Sequence, residues 1–271
     1  MIALNRRLES GAIELPTGGG NLPLPTALSL QGRRALVAGA ASGIGRATAQ
    51  CLAQLGADLV LADRAPMDYL CQEIAGLGRS ATPLLGDLTD DAFLQRIIAA
   101  GPYFSFAYVA GVFRAPQGAS PQASFDLVMH VNVRAPLILG CAFIEKAPPR
   151  DGGYMVFVGS SAGRSGKGRI GEPAEYATYA SSKGAVHSLV HVLAQRAAEK
   201  NIVVNGLAPG VVRTPMLDST APHLADSQAV SILGRSANPM EVAWPIALLC
   251  SPAASFVSGA ILDVNGGSYV G

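Results

Sequence analysis

Tyr179 and Lys183 stand four positions apart in the stretch YASSK, a spacing that puts a phenol and an ammonium on one face of a helix, one turn apart. The chemistry open to such a pair is proton transfer. A free tyrosine has a pKa of about 10, so it accepts a proton near neutral pH only if its phenolate is stabilised by roughly 4 kcal/mol. A unit charge about 4 Å away contributes about 1 kcal/mol in bulk water but about 4 kcal/mol at an effective dielectric near 20. The pair is therefore useful only in a crevice that largely excludes water. On a solvated helix it is an ordinary pair worth about 0.2–0.5 kcal/mol, and the surrounding elements decide between the two.

Those elements are short apolar runs alternating with longer amphipathic segments. RRALVAG precedes GRATAQCLAQLG, ADLVLAD precedes DYLCQEIAGL, and ATPLLGD precedes DDAFLQRIIAA. The alternation continues through FAYVAG, a helical stretch from about 125 to 146, GYMVFVGS, a helix from about 176 to 200, IVVNGLAPG, a helix near 239–250, and GAILDVNGG. Strands this continuously apolar are buried on both faces, the pattern of a parallel sheet covered by helices. The expected fold is α/β: a single doubly wound Rossmann-type domain over residues 29–271, with a seven-stranded parallel sheet and helices on both faces. Right-handed crossovers then put a ligand crevice beyond the carboxyl ends of the strands. Residues 1–28, rich in Gly and Pro and without periodicity, are expected to form an extension before the domain.

The first strand runs into AGAASGIG, with Gly39, Gly43 and Gly45 at G-x-x-x-G-x-G spacing, Ser42 and Ile44 between them, and a helix to follow. Glycines suit a sharp turn whose backbone approaches a pyrophosphate, and the exposed N–H groups and helix dipole favour an anion there. An ordinary strand-to-helix turn would use the same glycines. Asp63, eighteen residues after Gly45, ends the second strand. An acid there accepts hydrogen bonds from ribose hydroxyls and repels a 2′-phosphate. Arg64 follows at once, but no basic residue stands in the glycine loop, so NAD is favoured over NADP. Asp87 and Leu88 close the third strand and would border an adenine. Alone, Asp63 reads equally as a solvated strand end and Asp87 as a helix cap.

Taken in order, the glycine run, Asp63, VAG at 109–111, Asn132 in HVNVRAP, VGSSAG at 158–163, Tyr179-x-x-x-Lys183, APG at 208–210 with Thr214 after it, and VNGG near the end resemble the short-chain dehydrogenase/reductase family over about residues 30–270. The resemblance implies a catalytic tetrad of Asn132, Ser160, Tyr179 and Lys183. In it Tyr179 exchanges the proton, Ser160 hydrogen-bonds the substrate oxygen, Asn132 holds a water linking Lys183 to solvent, and Lys183 also reaches the nicotinamide ribose. Ser160 is chosen over Ser161 because the family's serine stands three residues before the glycine that is Gly163 here. The residues read as binding NAD are Gly39, Ser42, Gly43, Ile44, Gly45, Asp63, Asp87, Leu88, Ala110, Gly111, Tyr179, Lys183, Pro209, Gly210, Val212 and Thr214. The implied activity is NAD-dependent interconversion of a secondary alcohol and a ketone, on an apolar substrate, cyclic ones included. Helix pairing in the family implies a homotetramer or homodimer. The chain departs from the family's pattern at Ala38, where a threonine is usual, at Tyr108-Val109, where Asn-Asn is usual, and in the long stretch between Ser160 and Tyr179.

Composition narrows the field. Twenty Lys and Arg against 19 Asp and Glu, with no basic block, argue against a nucleic-acid partner. Cys51, Cys71, Cys141 and Cys250 lack C-x-x-C spacing and read as reduced thiols. His187 and His191 lack a third ligand and the glutamate of H-E-x-x-H, so no metal is expected and both read as surface or subunit-contact residues. No uninterrupted apolar run approaches the roughly 18 residues of a membrane span. Turn formers follow Arg6 and Arg7 where a signal peptide needs an apolar stretch, so a soluble, cytoplasmic protein is expected. The stretch from Arg213 to Asn238 is long enough for a substrate lid, with Met216, Leu217, Leu224 and Ile232 as pocket wall or as helix packing. Two other functions fit the same residues: an NADP-linked ketone reductase, and a non-catalytic nucleotide-binding regulatory protein on this fold.

Overall fold

The computed structural model describes residues 24–147, 152–165, 174–220 and 231–271. The strands β1 (Arg34–Ala38), β2 (Asp58–Asp63), β3 (Ala81–Leu85), β4 (Ser105–Tyr108), β5 (Gly153–Val158), β6 (Ile202–Pro209) and β7 (Ile261–Val264) form one sheet. It has seven strands, all parallel, in the order β3-β2-β1-β4-β5-β6-β7. The direction of winding reverses between β1 and β4, so the crevice of a doubly wound sheet opens at their carboxyl ends. The helices are α1 (Leu24–Leu28), α2 (Gly43–Gln54), α3 (Asp68–Gly76), α4 (Asp91–Ala99), α5 (Pro121–Met129), α6 (Ala135–Lys146), α7 (Ala162–Ser165), α8 (Ala174–Ala197), α9 (Pro215–Thr220) and α10 (Pro239–Leu249).

Alternation along each strand divides the core in two. Ala35 and Val37 of β1 and Leu59 and Leu61 of β2 face α2, α3 and α10, and the intervening Leu36, Ala38, Val60 and Ala62 face α4, α6 and α8. On the first face α2 packs through Ala47, Ala49 and Ala53, whose small side chains let it lie close to α10. Phe93, Phe106, Phe143 and Phe157 fill the second. Two strands differ from the expectation of burial on both faces. In β3, Thr82, Pro83 and Leu85 are exposed, and in β7 Leu262 and Asp263 are. Both are edge strands, each lacking a neighbour on one side, and Pro83, with no N–H to give, belongs on such an edge.

The expected extension is partly ordered: α1 lies within it, and Leu30, just after, is fully buried. Residues 1–23 fall outside the described ones. The stretch from Pro121 to Lys146 is long and apolar enough to cross a membrane, but half of the qualifying window is buried inside the domain. A π turn, His130–Arg134, joins α5 to α6. Pro136 supplies the reason: it has no N–H to donate to the carbonyl of Asn132 four residues earlier, so a regular ladder fails there.

Candidate active site

Sixteen residues read from the sequence as nucleotide-binding, together with Ser160, line a single crevice of about 1030 Å³ at the carboxyl ends of the strands. Asn132 stands behind its wall. The glycine turn is built by close approach. A Cβ on Gly45 would run into the carbonyl of Gly39, and one on Gly39 would lie 2.5 Å from the backbone of Ala110 at the end of β4. Gly43, at φ +52°, faces Thr214 across the crevice, with the Thr214 methyl 3.0 Å from where its Cβ would be. Ser42, the residue that precedes α2, makes no side-chain capping bond, and the first turn holds no acid. The amino end of α2 thus offers uncapped N–H groups and positive dipole to the crevice, a cradle that fits a pyrophosphate.

Asp63 is fixed beside this turn. Its Oδ2 accepts from Ala41 N at 2.9 Å and its Oδ1 from Ala65 N at 3.0 Å. These backbone donors aim the carboxylate and leave lone pairs on both oxygens for hydroxyl donors. Asp87 accepts from the N–H and hydroxyl of Thr89, and the cap of α4 is Asp90, so the helix-cap reading of Asp87 does not hold.

On the other side of the crevice, β5 and α8 bring Ser160, Tyr179 and Lys183 together. The Ser160 hydroxyl is turned toward that of Tyr179 and lowers its pKa. Lys183, only 4% exposed, donates from Nζ to the carbonyl of Val158 at 2.9 Å and lies 5.7 Å from the centre of the Tyr179 ring. A Cβ on Gly111 would come within 3.0 Å of Nζ, so the bare glycine makes room for the ammonium. Gly163 has the same use one layer back: a Cβ there would lie 2.6 Å from the α8 backbone at Lys183 and Gly184.

The Asn132 side chain is a structural clamp in its own right. Its Oδ1 accepts from Val112 N, and its Nδ2 donates to Val112 O and to Ser182 Oγ, all at 2.9 Å. Both amide protons are committed, and the side chain clamps the loop after β4 to α8. Tyr108, standing where the family has asparagine, is buried and donates its hydroxyl to Val131 O at 2.5 Å. Val109 N and Ala110 N both donate to Ala38 O at 2.9 Å. Those contacts tie the loop to the sheet without the missing Asn and Thr side chains.

The electrostatics correct the simple reading of the Tyr179–Lys183 pair. Burial pushes the Tyr179 phenol up, and only the Ser160 hydrogen bond pulls it down; Tyr176 adds to the rise. Burial also lowers Lys183 to about 8. Desolvation outweighs the attraction between the two, because Nζ faces the Val158 carbonyl and not the phenolic oxygen. The protein alone therefore holds Tyr179 as an acid.

The crevice also contains residues that the sequence did not single out. The Phe113 ring packs 5.1 Å from that of Tyr179 and 6.5 Å from that of Tyr176. Arg114 lines the same crevice, and so do Met216 and Leu217, two of the four residues the sequence offered as pocket wall. Phe113 and Arg114 stand two and three residues after the VAG element, and that closeness was the available signal. Ile232 is 79% exposed and does not line the crevice; its side chain lies over Gly267. Leu224 and residues 166–173 of the long stretch before Tyr179 lie outside the described residues. His191 is exposed, as expected, but His187 is 8% exposed and sits beneath Ser160, so its reading as a surface residue is wrong.

A family model described as enoyl-(acyl carrier protein) reductase matches residues 39–269. Galactitol 2-dehydrogenase (L-tagatose-forming) of Cereibacter sphaeroides is 35% identical over 255 residues, 90% of this chain and 98% of that protein. A short-chain type dehydrogenase/reductase from Mycobacterium marinum superposes with a TM-score of 0.80 at 26% identity, over 90% of this chain and 98% of that one. A 7 alpha-hydroxysteroid dehydrogenase, solved with NADH and 7-oxo glycochenodeoxycholic acid, does so with a TM-score of 0.80 at 31% identity, over 89% and 96%. Likeness on this scale, in sequence and in sheet order, makes the chain a member of the short-chain dehydrogenase/reductase family, NAD(P)-dependent oxidoreductases acting on CH–OH groups.

Proposed function

We propose that this enzyme interconverts a secondary alcohol and a ketone with NAD, Tyr179 exchanging the proton and Ser160 and Lys183 supporting it. The observation that carries the reading is the meeting of Ser160 and Tyr179 on the crevice wall, with buried Lys183 one helical turn away. In the reducing direction the neutral phenol gives its proton to the carbonyl oxygen, and the Ser160 hydroxyl stabilises charge developing on that atom. The Lys183 ammonium, fixed by Val158, favours the phenolate left behind. Asn132 keeps the Val112 loop against α8, and holding a water between Lys183 and solvent is its second role in this reading. When bound, the nicotinamide supplies the hydride donor or acceptor and, oxidised, a positive charge.

The glycine turn and the end of α2 would hold the pyrophosphate, Lys183 the nicotinamide ribose and Thr214 the carboxamide. Asp63 supports NAD over NADP, since an acid fixed by two backbone donors at the end of β2 would repel a 2′-phosphate. Phe113, Tyr176, Met216 and Leu217 suit an apolar, ring-bearing substrate. Arg114 borders this half of the crevice, where no carboxylate does among the described residues, which favours an acidic group on that substrate. The chain is read as a homotetramer or homodimer acting in the cytoplasm.

The test is a panel of cyclic secondary alcohols, with and without a carboxylate, offered with NAD and with NADP and followed at the absorbance of reduced nicotinamide. Turnover is expected with NAD, and Tyr179→Phe should lower kcat at least about 100-fold while NADH still binds. Asp63→Ala should raise the KM for NAD about tenfold, the worth of one charged hydrogen bond. Little effect of that substitution, with NADP the better cofactor, would mean an NADP-linked reductase. NADH binding with no turnover at all, unaltered by Tyr179→Phe, would mean a regulatory protein.

A further inference from the structure

Ser160 has one polar group whose partner the reaction scheme does not use. Its carbonyl accepts from Gly163 N at 3.0 Å, and its hydroxyl oxygen accepts from Ala162 N at 3.1 Å besides meeting Tyr179. The β5–β6 ladder passes its N–H by. Gly159 N donates to Leu207 O and Ser161 N to Pro209 O, both at 2.8 Å, so the N–H between them points to the other side of the strand. There it meets Nε2 of His187 at 3.5 Å, the outer limit of a hydrogen bond. No other partner for it is present among the described residues.

Packing holds the imidazole in place. His187 is 8% exposed, and a methyl group on Gly159 would run into Nε2 and Cδ2, so Gly159 provides the room that the ring occupies. His187 stands four residues after Lys183 and eight after Tyr179, which puts all three on one stripe of α8. Nε2 accepts only when unprotonated. Burial, and then the charges of Arg164, Lys183 and His191, hold its pKa down to about 4. Arg164 is itself tied to β7, through the carbonyl of Ile261 and through Asp263 with Nε and Oδ1 3.3 Å apart.

We propose that His187 is a positioning residue, whose Nε2 receives the N–H of Ser160 and thereby keeps the serine hydroxyl against Tyr179. The inference rests on the reading of Ser160 as the group that meets the substrate oxygen. Without an acceptor beneath it, the partly buried amide of Ser160 is an orphan, and the strand end relaxes to find another partner.

The test compares His187→Leu, which removes the acceptor, with His187→Gln, whose amide oxygen reaches about as far as Nε2. His187→Leu should lose about tenfold in kcat, a loss of about 1.4 kcal/mol. NADH affinity by fluorescence titration should stay within about twofold, and His187→Gln should recover most of the loss. Full kcat in His187→Leu, or a glutamine variant as slow as the leucine one, overturns the proposal. Should His187→Leu not fold, Gly159→Ala carries the comparison, because its methyl displaces the ring from Ser160; undiminished kcat there overturns it as well. Ser160→Ala, run alongside, separates the two readings. If Ser160→Ala keeps full kcat, Ser160 itself is misread and this inference goes with it.

Discussion

Tyr179 and Lys183 are each drawn toward the neutral form by burial, and that sets the pH behaviour expected of the enzyme. With the phenol held above its ordinary range, kcat for alcohol oxidation should rise steadily from pH 7 to 9, where a base is needed, while kcat for ketone reduction should not rise. An oxidation rate already flat from pH 6 would show a phenolate populated without help. Lys183 makes a separate prediction about stability. Its pKa falls from 10.5 in the unfolded chain to about 8 in the folded one. Between those values the unfolded chain binds the extra proton, so this group makes stability rise with pH across that window, by at most about 3 kcal/mol. Urea midpoints from pH 8 to 10 should climb less in Lys183→Met than in the native protein. The pair itself was legible from the spacing in YASSK. The direction of its shifts was not, because desolvation depends on which carbonyl the ammonium faces.

At the level of elements, the π turn between α5 and α6 and the loop after β4 form one support for the site. Tyr108 and Asn132 join them, the first through Val131 O and the second through both backbone groups of Val112. Tyr108→Phe removes one buried donor and should cost about 1–2 kcal/mol. For a domain of this size that lowers Tm by about 2–8 °C. Differential scanning calorimetry checks it, and an unchanged Tm would mean that the hydroxyl contributes nothing. The sequence marked Tyr108 only as a departure from the family pattern. Its compensating bond runs to a carbonyl 23 residues away, and no local spacing reports such a contact. The edge strands were over-read for a related reason. ATPLLGD and GAILDVNGG are as apolar as the central strands, and lateral position in the sheet decides which runs are covered.

At the scale of the whole molecule, the large apolar side chains exposed among the described residues include two groups on different elements. One is Phe125, Leu137 and Val192 on α5, α6 and α8; the other is Trp244, Leu248 and Leu262 on α10 and β7. If both groups bury on assembly, the proposed homotetramer uses two contacts where a homodimer uses one. Light scattering should give the mass of four chains. Replacing Leu137 and Val192 together by glutamate should reduce it to two with the circular dichroism unchanged. A native protein that runs as one chain at micromolar concentration would remove the tetramer reading.

The order of strands and helices, the glycine turn, Asp63 at the end of its strand and the Tyr179–Lys183 pair were legible in the sequence alone, since each depends on local periodicity or on a short fixed spacing, and Ser160 came from the family resemblance. Tertiary structure decided the rest. It put His187 beneath Ser160, gave the amide of Asn132 to Val112, placed Phe113 and Arg114 in the substrate half, and raised rather than lowered the phenol. Those outcomes depend on which distant groups exclude water from one another, and burial is a property of the packed chain that no stretch of it carries alone.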